Sequence, residues 1–124
     1  MPELNALTEK VIGLAINVHR SLGPGLLESA YRKCLCYELK NNGIEAVQEV
    51  QIPLKYKELT IDCSYRADII IPNKLIVEVK SVDSLLPIHE AQLLTYLRLT
   101  KIKLGLLMNF NVELLKDGIV RKII

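Results

Sequence analysis

The chain has 124 residues, half of them hydrophobic, with 16 basic against 14 acidic side chains and a formal net charge of +2. This length predicts one compact domain rather than two, and 22 Leu, 14 Ile and 9 Val supply a core, which excludes a disordered chain or one that needs disulfide staples. No apolar run approaches the ~20 residues of a membrane helix, and the start MPELNALTEK has neither a basic opening nor an apolar stretch, so a soluble, cytoplasmic protein is expected.

In chain order, Leu4, Leu7, Val11, Leu14, Ala15 and Val18 recur at helical spacing and predict an amphipathic helix over 3–21, stopped by Gly23-Pro24-Gly25. A second helix is read from Leu26 to Asn42 on Leu27, Ala30, Tyr31, Cys34, Leu35 and Leu39, with Asn41-Asn42-Gly43 as its stop. The period then changes. Ala46 to Leu54 alternates as a strand, and Lys57-Glu58 reads as a hairpin tip leading to Leu59 and Ile61. Residues 65–71 (YRADIII) and 75–80 (LIVEVK) form two strands around Pro72-Asn73-Lys74, and Pro87 opens a helix running to about Thr100. Strands at 104–110 and 119–124 close the chain around a turn at Lys116-Asp117-Gly118. Two helices, several strands, a helix and two strands describe a mixed sheet covered by helices.

The chemistry concentrates between Tyr65 and Lys80. Strand side chains alternate, so Glu78 and Lys80 share a face while Val77 and Val79 take the other. Loop length sets hairpin register. A three-residue loop at Pro72-Asn73-Lys74 puts Asp68 opposite Glu78, with Cβ atoms ~5 Å apart, and Arg66 opposite Lys80. Two carboxylates that close repel unless a cation lies between them, and an oxygen-only set without His or Cys selects Mg²⁺ or Mn²⁺ over Zn²⁺. An ordinary solvated face, with exposed charges paired across strands, accounts for the same four residues and is the simpler reading on spacing alone. The net charge does not announce a nucleic-acid binder. It is uneven, however: residues 1–62 carry 7 basic and 8 acidic groups, residues 63–124 carry 9 and 6, so a phosphate-binding surface would draw on the second half.

Asp68, a gap of nine residues and then Glu78-x-Lys80 resemble the PD-(D/E)XK nuclease superfamily, with Ala67 where the motif's name has proline. Gly25-Leu26-Leu27-Glu28-Ser29-Ala30-Tyr31 spells G-x-x-E-x-x-Y and is similar to the signature of the bacterial GxxExxY proteins, a branch assigned to that superfamily. The runs 86–96 and 103–110 look like the same family, so the resemblance covers residues 5–124. It implies a restriction-endonuclease-like α/β fold and metal-dependent phosphodiester hydrolysis, with DNA as the expected substrate.

Residue by residue, the resemblance implies that Asp68 and Glu78 hold Mg²⁺ or Mn²⁺ with the Val79 carbonyl as a third ligand. Glu28 would complete the site, and Lys80 would orient the attacking water and stabilise charge developing on phosphate. Gln92 and Tyr96, four apart on one helix face, resemble a Q-x-x-x-Y element that positions the nucleic-acid strand; as plain residues, Tyr96 reads equally as core and Gln92 as boundary. A catalytically inactive nucleic-acid-binding or protein-interaction module of the same fold is the alternative. So small a chain has little room for a separate specificity domain, so low specificity, a homodimer or a protein partner is a further expectation. The remaining chemistry-bearing side chains read as structural. His19 fits a surface or helix-end position, His89 a helix N-terminus, and Tyr31 a core residue bonding inward through its hydroxyl. Cys34, Cys36 and Cys63 match neither a disulfide framework nor a zinc pattern and are expected as reduced thiols.

Overall fold

The computed structural model describes residues 2–62 and 65–124. Helix α1 spans Pro2–Leu22 and buries Val11, Leu14, Ala15 and Val18, the stripe its periodicity marks out. Helix α2 spans Glu28–Asn41, starting later than the apolar pattern suggests because Gly23 and Gly25 both take positive φ, 70° and 96°, and carry the chain through a turn that only glycine adopts without strain. Gly43 (φ 72°) follows the helix end, where Asn42 Nδ2 donates to the Glu38 carbonyl at 2.8 Å.

The strands are β1 (Val47–Gln51), β2 (Leu54–Tyr56), β3 (Leu59–Ile61), β4 (Arg66–Ile71), β5 (Leu75–Lys80), β6 (Leu104–Asn109) and β7 (Ile119–Ile123), with α3 (Pro87–Thr100) between β5 and β6. Five of them form one mixed sheet in the order β1-β4-β5-β6-β7. β5 and β6 pair in parallel across the α3 crossover, and the other neighbours pair antiparallel. Strand 46–54 does not continue as one element. Pro53 has no N–H to give a ladder, so β1 ends at Gln51, the Ile52 N–H turns to the Tyr65 carbonyl at 2.9 Å, and β2 and β3 form a separate two-stranded sheet whose tip is Lys57-Glu58, as the pattern predicts.

The sheet lies between two helical layers. On one side Leu75, Val77, Val79, Leu104, Leu106 and Met108 pack with α1 and α2; on the other Ile70, Ile76 and Leu107 pack with Leu93, Tyr96 and Leu97 of α3. β6 is buried along its whole length, which is why LGLLMN is a continuous apolar run rather than an alternation. This five-stranded mixed sheet with helices on both faces is consistent with a restriction-endonuclease-like fold. Lys116-Asp117-Gly118 lies within a short 3-10 turn, Leu115–Gly118. His19 lies at the helix end, in the last turn of α1, but is buried rather than at the surface, and its Nε2 lies 2.8 Å from the Val112 carbonyl. Cys34 and Cys36 are free thiols, and burial pushes the Cys36 thiol up to about 11; Cys63 lies outside the described residues. No helix is long and apolar enough to cross a membrane among the described residues.

Candidate active site

The β4–β5 turn decides the register. Ile71 pairs with Leu75, Ile70 with Ile76 and Ile69 with Val77, the alignment expected of a three-residue loop, with Asn73 in the left-handed region (φ 63°). One step further along that register stand Asp68 and Glu78. Here side chains take over from the ladder: Glu78 Oε2 accepts from the Asp68 N–H at 2.7 Å, and Asp68 Oδ2 accepts from the Val79 N–H at 2.7 Å. The two carboxylates are thus clamped in reciprocal fashion across the ends of two central strands. β1 is distorted at the same level. Its pairing with β4 is recorded on either side of Glu49, which faces Asp68 in register and has φ 50°, a strained value for a non-glycine residue within a strand.

Glu28 joins from the opposite direction. At the start of α2, its Oε2 accepts from the Ser81 N–H at 3.0 Å, so it meets β5 just beyond Lys80. Tyr31, fully buried and stacked on Phe110 with ring centroids 4.5 Å apart, donates its hydroxyl to the Gly23 carbonyl at 2.5 Å and accepts from the Leu26 N–H at 3.1 Å. Ser81 Oγ donates to the Leu26 carbonyl at 2.7 Å. The glycine turn, Glu28 and Tyr31 of the G-x-x-E-x-x-Y stretch therefore form one brace that lays α2 against the end of β5.

Burial takes Glu78 out of the solvated face of exposed ion pairs that spacing alone allows. Glu78 is 3% exposed. Burial, and then repulsion from Asp68, push its carboxyl up to about 8, against the opposing pull of the Asp68 N–H and Lys80. The Asp68 carboxyl is raised too, first by burial and further by the charge of Glu28, while the Val79 N–H and Lys80 pull it back. Lys80, half-buried, is the cation that offsets both most strongly. Arg32, one turn beyond Glu28, adds a smaller pull on Asp68; its Nε donates to Gln48 Oε1 at 3.1 Å and its Nη1 stands 3.6 Å from Glu49 Oε1.

Buried, mutually repelling oxygens suit a small hard cation. They do not form a three-carboxylate cage: no group of three or more His, Cys, Asp or Glu side chains stands at metal-holding spacing among the described residues, and each of the three acids gives one oxygen to a backbone N–H. Asp68 Oδ1 and Glu78 Oε1 keep that role open, and Mg²⁺ characteristically takes one or two carboxylates and retains several waters. The residues present fit such an ion.

Tyr96 lies beside this centre. It is buried, the Arg66 backbone stands against its hydroxyl, and burial followed by the charges of Glu78 and Asp68 push the phenol up to about 12. Gln92, one turn earlier, lines the groove in front of it. His89 has a local role, its Nδ1 accepting from the Leu86 N–H at 3.0 Å at the head of α3. Glu90 pairs with Lys122 at 2.6 Å, away from the carboxylates.

Three residues of the surroundings leave little or no signal in the sequence. Asn109, 2% exposed, accepts from the Val82 N–H at 3.1 Å and donates to its carbonyl at 3.0 Å, fixing the segment that leaves β5 after Lys80. The one legible signal was an amide in the apolar run LGLLMNF. Ser81 and Arg32 carried none, since their partners lie 55 and 16 residues away.

Comparison with known proteins agrees with this arrangement. A family model described as PD-(D/E)XK nuclease superfamily matches residues 5–122. Among solved structures, the chain is similar to one titled "Crystal structure of SSO0001", with a TM-score of 0.52 and 27% identity over 75% of this chain. The match takes in 46% of that longer chain, so this protein corresponds to less than half of it. No curated protein matches. With a family model matched over nearly its whole length, and an Asp, Glu-x-Lys set brought together at the end of a central strand, the chain belongs to the PD-(D/E)XK nuclease superfamily, whose nucleases are generally divalent-metal dependent.

Proposed function

We propose that this chain is a single-domain, metal-dependent nuclease of the GxxExxY branch that hydrolyses phosphodiester bonds, with DNA as its substrate. The observation that carries the reading is the reciprocal clamp of Asp68 and Glu78, buried together beside Lys80 and approached by Glu28 from α2. In this reading Asp68 and Glu78, with the Val79 carbonyl and Glu28 in support, hold Mg²⁺ or Mn²⁺. The bound ion supplies Lewis acidity toward a phosphoryl oxygen and lowers the pKa of coordinated water. Lys80 orients the attacking water and stabilises negative charge that grows on the phosphate. Gln92 and Tyr96 position the strand.

The test is cleavage of plasmid and linear DNA with Mg²⁺ or Mn²⁺ against chelator, comparing the wild type with Lys80→Ala, which leaves the carboxylates in place. Loss of at least about 100-fold is expected for removing a group that acts on the developing charge. Undiminished cleavage by the variant would sink the mechanism. The engagement of all three carboxylates with backbone N–H groups favours one second reading, a catalytically inactive binding module. It requires no metal-dependent turnover by the wild type and salt-sensitive binding to nucleic acid.

A further inference from the structure

Between α3 and the β2–β3 hairpin runs a groove of about 350 Å³, walled by Leu54, Tyr65, Ile88, Gln92, Thr95 and Tyr96. We infer that it is a subsite for one unpaired nucleobase, so that the substrate enters as a single strand; the inference rests on the nuclease reading for what lies next to the groove.

Three observations carry it. None of the eight residues lining the groove is charged, whereas the exposed Arg98 stands at its edge, reaching Thr95 Oγ1 at 3.3 Å. An uncharged slot with a cation at its edge complements a flat aromatic base tethered to phosphates. The walls also supply what base recognition needs. Tyr65 is 44% exposed and Ile88 67%, giving an aromatic face and an aliphatic one, and Gln92 and Thr95 offer donors and acceptors to a base edge. Finally, Tyr96 is shared: it lines the groove, while its hydroxyl lies against the Arg66 backbone and feels the charges of Glu78 and Asp68. The slot therefore lies beside the carboxylate centre, where the base next to a bound phosphodiester would fall. A base inside a duplex is stacked on both faces and cannot enter a concave slot, so the subsite admits only unpaired nucleotides.

The experiment measures equilibrium binding, in the Lys80→Ala background, of octadeoxythymidylate, octauridylate and a blunt eight-base-pair DNA duplex, followed by fluorescence anisotropy. The single strands are expected to bind about tenfold more tightly than the duplex, and Tyr65→Ala to lower the single-strand to duplex affinity ratio about tenfold, the size of one lost stacking contact. Ile88→Glu, a change at a more exposed position that places a negative charge at the rim, is expected to lower the ratio likewise. A tighter DNA or RNA strand identifies the sugar preferred by the site. Equal affinity for strand and duplex, a ratio untouched by both substitutions, or no binding of any of the three overturns the subsite. The nuclease reading is judged separately, by metal-dependent cleavage with the wild type: cleavage without strand preference removes the subsite alone, and strand preference without cleavage removes the nuclease alone.

Discussion

Replacing Glu78 by Gln tests whether the buried carboxylate pair is what the metal-free fold tolerates least. Glu78 is 3% exposed and its carboxyl is pushed from 4.5 up to about 8 by burial and by Asp68. In the folded protein it therefore retains its proton at a pH where the unfolded chain has released it. A raised acid of this kind contributes no penalty below about pH 4.5. Its contribution falls as pH rises, because the unfolded state gains from ionising and the folded state does not, until the folded group also ionises near pH 8. At about 1.4 kcal/mol per pH unit, the span from 4.5 to about 8 corresponds to a loss on the order of 5 kcal/mol, a large share of the ~5–15 kcal/mol stability of a typical domain. Glu78→Gln preserves an acceptor for the Asp68 N–H and cannot ionise, so its profile between pH 5 and 8 should be nearly flat, with a remaining decline of the same sign from Asp68. Urea unfolding at half-unit steps of pH in chelator reads this directly through the midpoint. Adding Mg²⁺ should flatten the wild-type profile, because a bound cation stabilises the ionised pair, and should leave the variant less affected. Parallel wild-type and Glu78→Gln profiles, or a wild type that gains stability toward pH 8, would refute the argument.

Other perturbations address the support of the site. Tyr31→Phe removes the hydroxyl bonded to the Gly23 carbonyl and the Leu26 N–H; it should cost about 1–3 kcal/mol in unfolding free energy and lower cleavage further by loosening Glu28, with retained wild-type activity as the contrary outcome. Asn109→Ala strips partners from the Val82 N–H and carbonyl, and a loss of about 2–3 kcal/mol with faster amide exchange at Val82 is expected. Gly105→Ala would place a methyl group 2.8 Å from Leu93 Cδ1 under α3, so thermal unfolding should show about 1–3 kcal/mol of destabilisation from overpacking, and no change in Tm would show that α3 yields freely there.

Much of this protein is legible from local periodicity. The first helix, the Pro87–Thr100 helix and the β4–β5 register follow from apolar spacing, a proline that starts a helix and the parity of a three-residue loop, all of which are determined by neighbours in the chain. Asp68, Glu78 and Lys80 could be grouped for the same reason, lying within one hairpin. What the hairpin cannot express is burial: whether those charges face water or protein depends on which layers close over them, and only the packing of α2 and α3 onto the two faces of the sheet turns a solvated face into a pair of raised carboxyls. The contribution of Glu28 depends on Ser81, 53 residues away, the break at Pro53 decides that β1 joins the main sheet while β2 and β3 leave it, and the groove at Tyr65 exists only because Leu54, at the start of that small hairpin, comes opposite α3. Sequence by itself determined most of the elements, the β4–β5 register and the chemistry on offer, because these are short-range properties of the backbone. The tertiary structure alone decided which of those groups lose their water and which meet, because desolvation and encounter are properties of the packed chain.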